Sequence, residues 1–252
     1  MEGTWLSWIV FLPLVGAAVV ALLPERMTRA VATLFAAAEL VLTAPLWWRM
    51  DLRNGAWQFA ESRAWIPQWG ATYGLAVDGI SVLLVLLTSV LTLIAVVGAF
   101  SAVEKRGREF FALLLALETG MLGTFLATDL LLFYVFWEAM LIPMYLLIGV
   151  WGGQRRVYAA IKFFLYTMAG SVLMLIAILW LYFHHKAVAG FPTFSLDAFY
   201  GLPLPAEMQT WGRPSMTTRS SSSPASRGRP GPSSPTPPTS CTCRLRAPSP
   251  PW

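Results

Sequence analysis

Six long apolar stretches, at residues 6–23, 30–48, 79–103, 110–127, 130–150 and 157–183, constrain this chain more than any other feature. A helix rises about 1.5 Å per residue, so crossing about 30 Å of hydrocarbon takes about 20 apolar residues. Each stretch is long enough, and each is apolar around its whole circumference, as helices must be when lipid or other helices surround them. Charged residues make up only 12% of the chain and hydrophobic ones 56%. A soluble domain carries roughly twice that charge, so a soluble enzyme, a disordered protein and a disulfide scaffold are excluded. The expected fold class is all-α: a multi-pass transmembrane helical bundle of six spanning helices, followed by a disordered tail. The first stretch does not read as a signal peptide, because its leading segment is acidic (Glu2) and further spans follow it.

The formal charge of +5 has to be divided before it means anything. Residues 1–212 hold 12 Lys and Arg against 13 Asp and Glu, and residues 213–252 hold 6 Arg and no acid. The excess belongs to the last forty positions and does not describe a nucleic-acid surface; no nucleic-acid partner is expected. In the short connections, Arg26, Arg29, Lys105, Arg106, Arg108, Arg155 and Arg156 all fall on one side of the membrane. The excess of positive charge marks the cytoplasm, so the N-terminus is expected outside, periplasmic in a bacterium. The other side has Arg49, Arg53 and Arg63 in a long loop, Asp129 in a minimal turn, and Lys186 after the sixth span. Trp5, Trp8, Trp47, Trp48 and Trp151 lie near span ends, where amphipathic rings prefer the interface.

The six-helix region is expected to end near residue 186 and a proline-containing polar loop to fill 187–212. Residues 213–252 then hold 10 Pro and 10 Ser, with both cysteines, Cys241 and Cys243. Such a segment cannot bury enough apolar area to offset its ordering entropy, so it reads as disordered. A second reading is a shifted reading frame. Moving the frame by two bases turns consecutive Ser codons of the TCN type into NTC codons for Phe, Leu, Ile or Val, so Ser220–Ser223 written in such codons would encode part of a hydrophobic helix.

Ionisable groups inside a membrane are expensive, about 2.5–3.5 kcal/mol each on insertion scales, and each one calls for a reason. Glu138 sits near the centre of the fifth stretch. Either it exchanges a proton as a neighbouring cation moves, or it is a permanently protonated, hydrogen-bonded carboxyl. Pro143, five residues on, removes a helical donor, which opens a polar spot beside the carboxylate or merely kinks the helix. Lys162 lies about 8 Å inside the sixth span, whereas Glu138 lies about 18 Å from the same side, so a water-bridged relay suits the two better than a direct pair. The alternative for Lys162 is snorkelling to the near interface. Glu118 is mid-span in the fourth stretch and Glu39 in the second; each belongs to a polar network or is a protonated, bonded carboxyl, and for Glu39 the second reading is favoured. Asp78 and Asp129 sit at span edges, where helix capping is the ordinary role. His184 and His185 follow the sixth span and suit either a proton exit or a plain interfacial position. Neither a phosphate loop, a nucleophile with its base, nor a haem or iron–sulfur ligand set is present in the sequence.

Three segments carry a resemblance. Tyr73-Gly-Leu-Ala-Val-Asp-Gly-Ile-Ser81 is similar to the antiporter-like subunits of respiratory complex I. Phe133-Tyr-Val-Phe-Trp-Glu-Ala-Met-Leu-Ile-Pro-Met-Tyr-Leu-Leu-Ile-Gly-Val-Trp-Gly-Gly153 resembles them closely, as does Tyr158-Ala-Ala-Ile-Lys-Phe-Phe-Leu-Tyr-Thr-Met-Ala-Gly-Ser171. The likeness covers about residues 1–212 and is nearest to the M-type (chain 4) branch of NADH-quinone oxidoreductase subunits. It implies a proton-translocating subunit of that enzyme, in a bacterial inner membrane, surrounded by the other membrane-arm subunits and the lipid bilayer. It implies no cofactor in this chain, with NADH, FMN, iron–sulfur clusters and quinone handled by partner subunits. In the family, the position of Glu138 is a key proton-channel residue that partners a lysine on a broken seventh helix, and the position of Lys162 belongs to the central hydrophilic axis. Glu118 is added as a further relay candidate. The family is roughly twice as long, and its seventh helix should begin where the Arg/Pro/Ser tail stands. The expectation is therefore a truncated or frame-shifted chain whose Glu138 lacks its usual partner. The competing readings are a subunit of a multi-subunit cation/proton antiporter and a non-transporting six-helix membrane protein.

Overall fold

The computed structural model describes residues 4–51, 56–103, 106–200 and 202. The tail from 213 onward, with its disordered and out-of-frame readings, lies outside the described residues. The described chain runs α1 (Trp5–Leu22), α2 (Glu25–Arg49), β1 (Gln58–Ile66), β2 (Ala71–Val77), α3 (Gly79–Ala102), α4 (Gly107–Leu126), α5 (Leu130–Ala139), α6 (Leu141–Trp151), α7 (Arg156–Ala189) and α8 (Leu196–Tyr200). Among the described residues, six helical segments are long and apolar enough to cross a membrane, with α5 and α6 together making one of them. The chain is a multi-pass helical membrane protein.

Helix α4 is the hub, packing against α1, α2, α3, α5 and α6. Its sequence explains why. Gly120 and Gly123 present almost no side chain to the fifth span: a Cβ at Gly120 would lie 2.8 Å from the Met140 Cβ, and one at Gly123 would run into the Phe136 ring. Helices in lipid gain no hydrophobic drive toward each other, so close backbone approach over small residues is what holds such a seam together.

The four helices α1–α4 bury two apolar layers. One contains Leu6, Leu46, Val82, Val85, Leu122 and Leu126; the other contains Val20, Ala36, Val96, Phe111 and Leu115. Between the layers, in the middle of the helices, lie buried polar residues: Glu39 and Thr43 from α2, Ser89 and Thr92 from α3, and Glu118 and Thr119 from α4.

The fifth span is interrupted. Helix α5 ends at Ala139, α6 begins at Leu141, and Met140 donates its N–H to the Phe136 carbonyl at the junction. Pro143 is the cause: it has no N–H for the Ala139 carbonyl, and its ring crowds the preceding turn. Helix α7 continues six residues past the end expected from hydropathy, through His184, His185 and Lys186 to Ala189, so part of the expected polar loop is helical.

The connection between the second and third spans holds an antiparallel hairpin, β1 with β2, that the loop reading had missed. Glu61 lies opposite Leu75 and Arg63 opposite Tyr73. The turn uses the 3-10 segment Pro67–Trp69 and then Gly70 at φ 66°, where a Cβ would strike the Pro192 carbonyl. This hairpin ties the span ends together. The buried Glu61 carboxylate accepts from the N–H groups of Leu6 (2.6 Å) and Ser7 (3.3 Å) and from the Ser7 hydroxyl (2.7 Å). It thereby satisfies amides at the start of α1 that the N-cap residue Thr4 leaves without a side-chain partner. The Tyr73 hydroxyl lies 3.1 Å from that of Ser7. Burial pushes the Tyr73 phenol above its ordinary pKa, opposed by the Ser7 hydrogen bond.

Both acidic span-edge residues act as caps. Asp78 accepts from the Ser81 N–H, and Asp129 accepts from the N–H groups of Leu131 and Leu132. Asp129 also accepts from the Thr72 N–H and hydroxyl, so it joins β2 to the start of α5. These contacts gather the start of α1, the hairpin and the start of α5 at one face. At the other face Glu25, Arg26, Arg29 and Arg108 line a pocket of about 250 Å³.

Candidate functional site

Glu138 occupies the last turn of α5, next to the interruption at Met140. It is half-buried, and its Oε1 is sealed from solvent without a hydrogen-bond partner. The Tyr134 hydroxyl, one turn earlier, lies within reach of both Glu138 and Ser171 of α7. The span break adds polarity here, because the Ala139 carbonyl can receive no donor from Pro143. A carboxyl, a phenol and a serine hydroxyl thus meet where the helix is discontinuous.

Lys162 does not reach this group. Helices α6 and α7 run antiparallel, with the Tyr145 and Phe164 rings 5.5 Å apart and Gly149 facing Ala160. Continued along α7, that register sets Lys162 level with Leu147, about nine residues and roughly 13 Å of helical rise from Glu138. The Lys162 ammonium lies 5.9 Å from the ring centres of Tyr158 and Tyr166, and it is exposed. With Arg155, Ala159 and Phe163 these residues line a pocket of about 390 Å³. Lys162 and Glu138 form no salt bridge; among the described residues the ion pair is Arg106 with Glu109, at 3.7 Å.

Glu118, grouped with Glu138 and Lys162 by sequence reasoning, belongs to a different set. It is fully buried, with both oxygens free of hydrogen bonds, and so is Glu39. The two carboxyls lie close enough for the charge of one to act on the other, and the Thr92 hydroxyl adjoins Glu118. On α4, Glu118 sits about 140–160° around the axis from the Gly120 and Gly123 seam, which meets Met140 and Phe136 of the fifth span. Mid-span position made Glu118 visible in the sequence. The placement of Glu39 beside it depends on helix register, which no local pattern in α2 reports.

The histidines are built into aromatic contacts. His184 stacks on Trp180 with ring centres 5.0 Å apart, and His185 is buried edge-on between Phe191 (5.1 Å) and Phe199 (5.6 Å).

The comparisons with known proteins meet this geometry at the broken span. Residues 127–209, which begin just before α5 and contain α7, match the family described as NADH:quinone oxidoreductase/Mrp antiporter, TM. An NAD(P)H-quinone oxidoreductase chain 4 from Synechococcus sp. is 47% identical over 178 residues, 70% of this chain and 34% of the relative. An NADH-quinone oxidoreductase subunit M from Rickettsia conorii is 40% identical over 190 residues, 72% of this chain and 38% of the relative. Among solved structures, respiratory complex I from Thermus thermophilus contains a chain that superposes with a TM-score of 0.70 at 33% identity, covering 82% of this chain and 41% of that one. The chain thus spans between a third and a half of the length of the relatives it matches. Over that length, this chain belongs to the antiporter-like membrane subunits of complex I and Mrp assemblies.

Proposed function

We propose that this chain serves as a proton-translocating membrane-arm subunit of an NADH:quinone oxidoreductase, with Glu138 as its proton-carrying carboxyl. The observation that carries the reading is the sealed, unpartnered Oε1 of Glu138 at the break between α5 and α6. A carboxyl in low dielectric holds or releases a proton according to what approaches it, and a discontinuous helix supplies polar backbone for water to bridge. Tyr134 and Ser171 offer hydroxyls on one side of Glu138. Lys162 lies on the other side, separated by a distance that only a water chain or a further side chain can span. NADH oxidation and quinone reduction belong to partner subunits in this reading, and the work of this chain is confined to moving protons.

The test is NADH-driven acidification of membrane vesicles in which the chain is assembled with the other membrane-arm subunits. Glu138→Gln is expected to lower proton uptake by roughly tenfold or more while NADH oxidation by the peripheral subunits persists. Uptake unchanged in that variant overturns the role of Glu138. A second reading, a subunit of a cation/proton antiporter, is favoured by the family match itself, which covers Mrp proteins as well. Sodium-driven proton movement without NADH would select it.

A further inference from the structure

We infer that Glu39 and Glu118 form a second proton-holding site, a buried carboxyl pair between α2, α3 and α4 that keeps one exchangeable proton independently of Glu138. The register of three helices places the pair. Thr43 donates its hydroxyl to Ser89 at 3.3 Å, which aligns α2 with α3 in antiparallel. One turn back along α2 is Glu39, and one turn on along α3 is Thr92, whose hydroxyl adjoins Glu118. The three helices therefore bring Glu39, Thr92 and Glu118 to one level, closed above and below by the two apolar layers of the bundle. All four carboxyl oxygens are buried without a hydrogen-bond partner.

Among the described residues no cation is positioned to neutralise them. Helices α1 and α3 carry no ionisable side chain. On α2 the other charged groups are Glu25, Arg26, Arg29 and Arg49, each about ten or more residues from Glu39, which is roughly 15 Å of rise. On α4 they are Arg108 and Glu109, nine or more residues and roughly 13 Å from Glu118. On the elements packed against the far side of α4, the titratable groups are Tyr134, Glu138 and Tyr145, with Glu61, Arg63 and Tyr73 in the hairpin at the end of the bundle. Burial without a counter-charge already disfavours ionisation of each carboxyl, and the charge of one raises the cost of the other, so the two cannot both stay ionised. One proton shared by the pair relieves that repulsion. The Thr92 hydroxyl adjoins Glu118 and introduces no competing charge.

The experiment is infrared difference spectroscopy of the full chain in lipid nanodiscs, titrated over a wide pH range and read at the C=O stretch of protonated carboxyls. The expected result is a titrating band that is lost in the Glu39→Gln/Glu118→Gln double variant. Its midpoint should move by about one pH unit or more in either single variant, and it should stay in place in Glu138→Gln. Glutamine keeps the shape of the side chain, and circular dichroism with monodisperse elution selects the variants that fold. Either single variant suffices for the comparison. A band that never titrates makes the pair a permanently protonated structural feature and overturns the inference. It is equally overturned by a band that follows Glu138→Gln, and by a midpoint that shifts with sodium concentration, which would make the site a metal-cation site. The readout requires no NADH-driven transport, so failure of the Glu138 reading would leave this result standing.

Discussion

The body formed by α1–α4 and the flank formed by α5–α7 hold their ionisable residues in opposite ways. In α4, 56% of the apolar window is buried inside the protein, and in α7 only 11%. The body seals Glu39 and Glu118 completely between apolar layers. The flank leaves Glu138 half-buried at a broken helix and Lys162 exposed beside two tyrosines. A sealed carboxyl pair can store a proton but exchanges it only when the surrounding helices move, whereas a carboxyl at a helix break can meet water directly. In the reading proposed above, storage falls to the pair in the body and exchange to Glu138 in the flank.

The largest expected effect tests whether α4 is the structural divide. Gly123→Leu drives a side chain into the Phe136 ring across the seam between α4 and α5. Overpacking of this kind costs about 3 kcal/mol or more when neither backbone can yield. The same substitution at Gly170 of α7, where nothing lies within 4 Å, should shift stability by less than about 0.5 kcal/mol. Thermal denaturation in one detergent compares the two directly, and equal melting shifts would remove the distinction between body and flank.

A smaller effect probes what closes the body at the N-terminal face. Glu61→Ala leaves the Leu6 and Ser7 amides and the Ser7 hydroxyl without their acceptor, and hydrogen bonds to a charged group are worth about 1.5–3 kcal/mol. Amide exchange at Leu6 and Ser7 should accelerate by roughly tenfold or more, while exchange along α7 stays unchanged. Acceleration spread evenly over both regions would show that the hairpin clamps the whole bundle and not the body alone.

The spans were legible because all-round apolarity over about 20 residues has no other stable explanation. The caps Asp78 and Asp129 were legible because capping is local, and the break near Glu138 was signalled by Pro143. What escaped was non-local. Gln58–Ile66 carries Glu61 and Arg63 in mid-strand and reads as a polar loop, until pairing with Ala71–Val77 turns Glu61 toward an N-terminus 54 and 55 residues away. The surroundings of Glu39 were not legible for the same reason, because Glu118 acts on it from another helix.

Lys162→Met carries the smallest expected effect on stability and bears most directly on the open flank. The ammonium is 5.9 Å from the two tyrosine ring centres, near the outer limit for cation–π attraction, so each contact contributes at most about 0.5 kcal/mol. Methionine keeps the apolar stem against Tyr158 and Tyr166 and removes only the charge. The melting temperature should therefore change by no more than a degree or two, because losses of this size are within the scatter of surface substitutions. A loss of about 2 kcal/mol or more would mean that the ammonium satisfies a buried acid. Glu138, with its unpartnered Oε1, is the acid nearest in kind, so that outcome would bring the two residues into one relay and close the flank. A null effect leaves Lys162 free to pair with a group approaching from outside this chain, and the Glu138→Gln acidification assay repeated in the Lys162→Met background would then show whether the two act in series.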